Sequence, residues 1–271
     1  MLNNVTIGQF FPSNSLIHKL DPRVKILSVF VFILLVFICT NYISQLTALI
    51  AILLVMAVSK VPLGTYFKSL KPVWFILAFT CIINLFYGTG EPLFKMGFLT
   101  ITQSGLNNSL FIGVRIIALI LISSVLTFTT SPTDLTDGLE RIMKPLKVFK
   151  VPVHDIAMMM TIALRFVPTL IEEADRIMDA QKARGSNIDT GGIMQRARAV
   201  VPILIPLFVS AFRRAYDLSI AMECRCYQGG ESRTRLKTLK VGNIDILFII
   251  FMVLLTMGVV VCNVKFPKIM R

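Results

Sequence analysis

Charged residues are scarce in this chain, and their scarcity excludes an ordinary soluble protein. Only 16% of the 271 residues are Asp, Glu, Lys or Arg, whereas 55% are hydrophobic and the mean hydropathy is +0.75. Soluble domains carry about 25% charged residues. We therefore expect an integral membrane protein.

The residue types that usually bind metals or carry out catalysis are also few. The only histidines, His18 and His154, are far apart, and the five cysteines do not suggest a disulfide framework. Three of these cysteines fall within hydrophobic runs: Cys39, Cys81 and Cys262. Cys224 and Cys226 form the single close pair, with no second pair and no nearby histidine, which disfavours a metal site. No G-x-x-x-x-G-K-[ST] phosphate loop occurs, so a role driven by ATP would need a partner.

Long hydrophobic runs are present, and they predict the membrane topology. A spanning helix needs about 20 mostly apolar residues. Five runs are candidates, at roughly residues 24–40, 45–59, 72–88, 107–130 and 243–264. The first 22 residues lack an apolar core before a small-residue cleavage site, so we predict no cleaved signal peptide. In the link after the third span, the FLTIT run is a candidate short strand.

The net charge of +13 fits membrane topology better than nucleic-acid binding. Arg23 and Lys25 precede the first span, and three lysines lie between the second and third spans: Lys60, Lys68 and Lys71. The positive-inside rule then places the N-terminus in the cytoplasm. Three basic residues near the C-terminus would lie outside after a fifth span and oppose the rule: Lys265, Lys268 and Arg271.

Residues 131–242, between the fourth and fifth spans, predict three helices of mixed character. The first follows a cap at Ser131 or Thr133, with Pro132 in its first turn, and ends near Pro145. The second covers residues 153–185, apolar at first and then charged, with a kink expected at Pro168. Its apolar half predicts a start at membrane depth. In the third, two prolines interrupt an apolar stretch: Pro202 and Pro206.

Each of the last two helices has an apolar stripe that ends in an arginine. In the second helix the stripe comprises Leu170, Ile171, Ala174, Ile177, Met178 and Gln181. In the third it comprises Phe208, Ala211, Ala215, Leu218, Ala221 and Met222. Arg184 lies seven residues, two helical turns, after Ile177 along its stripe, and Arg225 lies seven residues after Leu218. An arginine there can dock on carboxylates or carbonyls of a partner, or simply compensate the helix dipole. At an offset of forty-one the two helices match at only a few positions, too few to establish a duplication.

The chain resembles the transmembrane T component of energy-coupling factor (ECF) transporters. The likeness covers IGQFFPSNSLIHKLDPRVK, PLKVFKVPVHDIAMMMTIALRFVPTLIEEADRIMDAQKARG and RCYQGGESRTR. The family is marked by two X-Arg-X motifs, usually Ala-Arg-Gly or Ala-Arg-Ser. Residues 183–185, Ala183, Arg184 and Gly185, fit without change; Cys224, Arg225 and Cys226 fill the second motif with cysteine on both sides of the arginine.

The resemblance implies an all-α membrane protein with about five spanning helices and three cytoplasmic coupling helices, two of which cross. It implies a non-catalytic scaffold of an importer of vitamins or other micronutrients in a bacterial-type cell membrane. Each arginine would enter a groove on one of two ATP-binding cassette subunits, which would hold the ATP and Mg. A membrane-embedded substrate-binding S component would contact the upper apolar surfaces of the helices, and we expect four residues to face it: Ile177, Met178, Leu218 and Met222. The chain would then divide into three regions. Residues 1–130 form the first four transmembrane helices, residues 131–242 form the cytoplasmic coupling-helix region, and residues 243–271 form the last transmembrane helix and the C-terminal tail.

Two alternatives remain open from the residues. Asp175 and Asp179 lie one helical turn apart and follow Glu172 and Glu173 in the sequence. They could hold Mg²⁺ in a membrane-bound transferase. The competing interpretation is a solvated face whose acids pair with basic residues three positions later, Glu173 with Arg176 and Asp179 with Lys182. A stand-alone permease is the other alternative, although the spans contain no acidic residue until Asp245.

Arg115 is the only basic residue placed well within a predicted span. A charge at membrane depth is costly, and it usually faces protein or water. We expect structural pairing of Arg115 rather than contact with a transported substrate.

Overall fold

The computed structural model describes residues 10–86, 92–96, 99–185, 192–229 and 241–265. Within these residues the chain forms nine α-helices and one two-stranded hairpin. The helices are α1 Pro22–Ile38, α2 Tyr42–Ser59, α3 Leu63–Leu70, α4 Trp74–Phe86, α5 Gln103–Thr129, α6 Pro132–Met143, α7 Val153–Ala183, α8 Ile193–Cys224 and α9 Asn243–Lys265. The strands are β1 Pro92–Met96 and β2 Leu99–Thr102, and 3-10 turns cover Lys71–Val73 and Lys144–Phe149.

Six helical segments are long and apolar enough to cross a membrane. They are Tyr42–Ser59, Leu63–Phe86, Gln103–Thr129, Val153–Ala183, Arg198–Cys224 and Asn243–Lys265. The prediction of a helical, multi-pass membrane protein is therefore confirmed. At 17 residues, α1 lies at the short limit for a spanning helix.

The third span begins earlier than the hydrophobic run predicted. The 3-10 turn at Lys71–Val73 joins α3 directly to α4, so one helical segment runs from Leu63 to Phe86. Proline at position 72 suits this turn because its missing N–H group falls where a new helix begins. Lys68 and Lys71 consequently lie within the helical segment rather than in a loop.

Local sequence signals set several helix ends as expected. The Ser131 hydroxyl accepts a hydrogen bond from the Asp134 backbone N–H at 3.1 Å, and α6 begins at Pro132. The helix α7 runs through Pro168, and α8 is continuous through Pro202 and Pro206. The FLTIT prediction is also confirmed, because β2 pairs antiparallel with β1.

The described residues form two compact units. The first unit is built from two segments of the chain, one before and one after the segment that forms the second unit. It comprises Gly8–Ile142 and Thr238–Arg271. Its core lies around α5, which packs against α1, α2 and α4, while α9 packs on α2 and α1. Tyr66 and Phe128 meet edge to face at 5.3 Å between ring centroids, and the Tyr66 hydroxyl lies 2.9 Å from that of Ser59.

Buried polar contacts hold the helix ends of the first unit together. The Asp21 and Gly242 backbone N–H groups donate to the Asp245 carboxylate, at 2.8 and 2.7 Å. The ammonium of Lys25, buried with them, donates to the Thr129 carbonyl at 2.9 Å. These bonds tie the starts of α1 and α9 and the end of α5.

Arg115 is paired with protein groups, as the sequence predicted. Its Nη2 donates to the Cys39 carbonyl, just beyond α1, at 2.6 Å. The guanidinium also lies 4.9 Å from the centroid of the Phe111 ring, a cation–π distance. The charge in the middle of α5 is therefore used to hold helices together.

Candidate functional site

The second unit, Met143–Lys237, contains an antiparallel helical hairpin formed by α7 and α8. In the C-terminal half of both helices, the Glu173 carboxylate accepts from the Ser210 hydroxyl at 3.0 Å and pairs with Arg214; this contact is here called the central ion pair. Earlier in α7, Ile162 shares a cavity wall with Leu218, later in α8. Because contacts move backward along α7 as they move forward along α8, the two helices run in opposite directions.

The ion pair lies at equivalent positions of the two helices. Arg184 follows Glu173 by eleven residues, and Arg225 follows Arg214 by the same number. A local two-fold axis through such a pair would exchange the two helices and bring each arginine onto the other. The forty-one-residue offset, weak as a sequence repeat, is thus also the spacing between the two residues of the ion pair.

This pairing corrects the partner predicted for Glu173. The sequence offered Arg176, three residues later on the same helix face, but the structure pairs Glu173 with Arg214 of α8. A hydroxyl and a guanidinium together satisfy more of the carboxylate than one exposed i, i+3 pair could. The ion pair therefore links α7 to α8 and is not a contact within α7 alone.

Arg184 occupies the C-cap position of α7. Its backbone N–H donates to the carbonyls of Ala180 and Gln181, both at 3.2 Å. Gly185 follows with φ +87°, and its N–H donates to the Lys182 carbonyl at 2.9 Å. A left-handed residue after the cap is the usual glycine helix stop. The side chains of Ala183 and Arg184 are exposed.

Arg225 occupies the same position at the end of α8. Cys226 follows with φ +55°, its N–H donates to the Glu223 carbonyl at 2.8 Å, and the Tyr227 N–H donates to the Met222 carbonyl at 3.1 Å. These two bonds form a Schellman motif, with cysteine where glycine is usual. Arg225 is exposed, and so are Cys224 and Cys226 beside it.

The two arginines consequently lie at opposite ends of the hairpin. Each stands eleven residues from the central ion pair, about 16 Å at the helical rise of 1.5 Å per residue. For a straight antiparallel pair the separation is then about 30 Å. Two exposed guanidinium groups at this spacing can contact two separate partner surfaces.

A cavity of about 440 Å³ lies between the two helices beside the central ion pair. Its lining includes Ile162, Phe166 and Leu170 from α7 and Ala211, Leu218 and Met222 from α8. Two of the four residues predicted to face a membrane partner, Leu218 and Met222, thus line this cavity. The other two, Ile177 and Met178, are half-buried on α7 beyond Glu173.

An aromatic face on α8 was only partly predicted, because the apolar stripe included Phe208 but not Phe212 or Tyr216. Phe208, Phe212 and Tyr216 are 61, 73 and 68% exposed, and they recur every four residues along one side of the helix. The predicted stripe followed the neighbouring alanines instead. The spacing of the aromatic residues was the available signal for this face.

The acidic residues of α7 are not gathered with other metal-ligating residues in the described part of the chain. No group of three or more His, Cys, Asp and Glu residues there could hold a metal ion. Glu173, one of the acids considered for a transferase, is engaged by α8. Glu172 and Asp179 are exposed.

Comparison with known proteins assigns the chain to a family. A family model described as "Cobalt transport protein" (CbiQ) matches residues 13–236. The energy-coupling factor transporter transmembrane protein EcfT of Acidaminococcus fermentans is 48% identical over 247 residues, covering 91% of this chain and 92% of that protein. EcfT of Bacillus subtilis is 45% identical over 242 residues, covering 88% and 91%. EcfT of Streptococcus equi is 41% identical over 268 residues, covering 98% and 99%.

The apolar helices and these relatives define a multi-pass membrane protein of the transporter class. The chain belongs to the CbiQ family, together with the transmembrane proteins of energy-coupling factor transporters. The resemblance found in the sequence is therefore confirmed.

Proposed function

We propose that the chain is the coupling subunit of an ATP-driven importer, in which Arg184 and Arg225 each dock on one of two ATP-binding subunits. The matched helix ends support this proposal: both arginines are exposed C-cap residues before a left-handed turn, at opposite ends of one hairpin. A pair of equivalent contact points suits a pair of similar partners.

The docking chemistry follows from the arginine side chain. A guanidinium is permanently charged and offers five N–H donors in a planar fork, which matches carboxylates and backbone carbonyls in a groove. At an exposed helix end it contributes only about 0.3–1 kcal/mol through the helix dipole. Dipole compensation therefore leaves most of the donor capacity of both arginines free for a partner.

In this proposal the central ion pair transmits movement between the two helices. Glu173 and Arg214 connect α7 to α8 in the C-terminal half of each helix. Movement of either arginine tip by an ATP-binding subunit is then transmitted to the other helix of the hairpin. ATP and Mg are bound by the partner subunits, and this chain contributes no catalytic group.

The membrane-embedded substrate-binding S component contacts the apolar surfaces of the hairpin in this proposal. Candidates on α8 are the exposed Phe212 and Tyr216, and the cavity residues Leu218 and Met222. Ile177 and Met178 supply the corresponding surface of α7. The protein resides in a bacterial-type cell membrane, with its N-terminus and hairpin on the cytoplasmic side.

Arginine substitutions test the docking role. In the complete transporter, reconstituted in proteoliposomes with both ATP-binding subunits and the S component, Arg184→Ala and Arg225→Ala should each reduce uptake. The double substitution should reduce it by at least about tenfold, which corresponds to about 1.4 kcal/mol of lost coupling. Retention of the ATP-binding subunits on affinity-tagged chain is the second measurement.

A matched control is Arg213→Ala, which removes an exposed arginine from the side of α8 rather than its end. This control should transport normally. Full uptake by the Arg184→Ala, Arg225→Ala double variant would refute the docking role. Uptake by this chain alone, without partner subunits, would instead support a stand-alone permease.

A further inference from the structure

Residues 144–150, here called the basic turn, join α6 to α7 and are exposed throughout. Their sequence is KPLKVFK, with lysine at every third position and no acidic residue. Val148 and Phe149 are 85 and 80% exposed, and Leu146 is 40% exposed. A short segment thus presents both concentrated positive charge and large apolar side chains.

The turn geometry separates these two kinds of side chain. Lys144–Phe149 forms a 3-10 helix, in which residues three apart lie one above the other. Lys144 and Lys147 therefore form one row, and Leu146 and Phe149 form another. Lys150 ends the turn with φ +60°, and its N–H donates to the Lys147 carbonyl at 2.9 Å. The turn is amphipathic over a single short element.

We propose that the basic turn binds the anionic headgroups of the lipid bilayer, with its lysines on the phosphates and Phe149 and Val148 inserted among the acyl chains. Lysine rows beside aromatic and aliphatic residues are the features of segments that lie in the membrane interface. Long lysine side chains can reach headgroup phosphates while their stems stay along apolar surface.

The position of the turn in the chain supports a bilayer as its ligand. It directly precedes α7, which is apolar enough to enter a membrane and whose first half contains HDIAMMMTIALRFVP. The basic turn therefore stands where the chain passes from the polar helix α6 toward the bilayer. Juxtamembrane lysines are attracted by the negative surface potential of anionic lipids.

The size of the turn argues against a protein as its ligand. A stable protein interface buries about 800 Å² on each partner and draws on about 20–30 residues a side. Seven residues that protrude with their charges and apolar groups exposed are too few for such an interface by themselves. A lipid headgroup requires only a few cationic donors.

A single tryptophan reports the depth of the turn. The sequence has one tryptophan, Trp74, so a Trp74→Phe, Phe149→Trp variant of the full chain places the only indole in the basic turn. The variant is reconstituted into nanodiscs of phosphatidylcholine, or of phosphatidylcholine with phosphatidylglycerol. Either lipid is supplied with bromine on its acyl chains, which quenches tryptophan at membrane depth.

We expect quenching to be at least about twofold stronger in the anionic nanodiscs, because juxtamembrane lysines are attracted to anionic lipid. Added Lys144→Gln, Lys147→Gln and Lys150→Gln changes should abolish this difference. Lys60→Gln, Lys68→Gln and Lys71→Gln remove the same total charge elsewhere and should preserve it. A Trp74→Phe, Val148→Trp variant is a second reporter if the first does not insert.

Three outcomes would overturn the inference. Absence of quenching in both lipids would show that the turn does not enter the bilayer. Equal quenching in both lipids would show that the lysines do not bind the anionic headgroups in preference to neutral ones. Shielding of the indole only after partner subunits are added would identify a protein surface as the ligand instead.

Discussion

At the scale of single residues, the two helix ends differ most in the residue that adopts a left-handed conformation. Gly185 has φ +87° and Cys226 has φ +55°. A side chain with a Cβ atom pays roughly 1–2 kcal/mol for this conformation, whereas glycine adopts it freely. The second motif therefore retains a cysteine at a conformational cost that the first motif avoids.

We predict opposite effects of substitutions at these two positions. Gly185→Ala should destabilise the end of α7 by about 1 kcal/mol, because alanine is strained at this φ. Cys226→Gly should leave the end of α8 unchanged or stabilise it by up to about 1 kcal/mol. Hydrogen–deuterium exchange of the last turns, read by mass spectrometry on protein in detergent, measures both. Faster exchange at the end of α8 in Cys226→Gly would contradict the expected sign.

The two exposed thiols give a residue-scale test of docking and sidedness. Cys224 and Cys226 are exposed, whereas Cys39 is fully buried. A membrane-impermeant maleimide should label the first two in inside-out vesicles and spare Cys39. In right-side-out vesicles the same thiols should stay unlabelled, because the hairpin is proposed to face the cytoplasm.

Partner binding should slow this labelling. Because the ATP-binding subunits are proposed to dock on Arg225, assembly with them should make the neighbouring thiols react several-fold more slowly, in proportion to the bound fraction. The labelling rate of Cys224 and Cys226 without the ATP-binding subunits is the reference. Labelling of Cys224 from the outer side would refute the proposed orientation.

At the scale of elements, the central ion pair determines how the hairpin responds to force. Glu173 of α7 and Arg214 of α8 form an ion pair that bridges the two helices. Both side chains remain partly exposed, and ion pairs of this kind contribute modestly to stability. We infer that the pair matters more for register between the helices than for folding.

Charge reversal tests this role. Glu173→Arg or Arg214→Glu alone places like charges at the contact and should lower uptake by the complete transporter with little loss of folded protein. The Glu173→Arg, Arg214→Glu double variant restores an opposite-charge pair and should recover most of the uptake. Asp217→Arg, at an exposed position on α8, is the control. No recovery in the double variant would show that the pair does not couple the helices.

Sequence signals predicted the elements better than their pairing. The Ser131 cap, the glycine stop at residue 185 and the FLTIT strand depend on neighbours in the chain, and the structure contains all three. The Glu173–Arg214 pair joins residues forty-one positions apart, and local spacing pointed to Arg176 instead. Which acid pairs with which base across two helices depends on their register, which local periodicity does not specify.

The candidate site was likewise only partly accessible from sequence. The motif around Arg184 and Arg225 located both helix ends, but the motif says nothing of their direction relative to each other. The antiparallel arrangement follows only from the three-dimensional structure, in which Ile162 and Leu218 line the same cavity. Phe212 and Tyr216 were overlooked because alanines, rather than aromatics, were taken to define the buried stripe.

At the scale of the whole molecule, the first unit is built from segments on both sides of the second. Gly8–Ile142 supplies most of its helices, and Thr238–Arg271 supplies α9. The unit is therefore complete only after the hairpin segment has been synthesised. Asp245, which is 3% exposed, joins the two segments where α1 and α9 begin.

We predict that Asp245→Ala destabilises this unit more than any exposed carboxylate substitution. The Asp245 carboxylate accepts the backbone N–H groups of Asp21 and Gly242, which lie on the two separate segments. Its loss leaves the buried Asp21 N–H without its acceptor, at about 1–3 kcal/mol, and removes the bond from the exposed Gly242 N–H, which water can replace. Asp245→Asn keeps one acceptor oxygen and should show an intermediate loss, while Asp217→Asn, exposed on α8, should show none. Thermal unfolding in detergent, followed by size-exclusion chromatography, ranks the four proteins. Equal melting of Asp245→Ala and the unsubstituted chain would show that the tie between the segments rests on apolar packing of α9 against α1 and α2 alone.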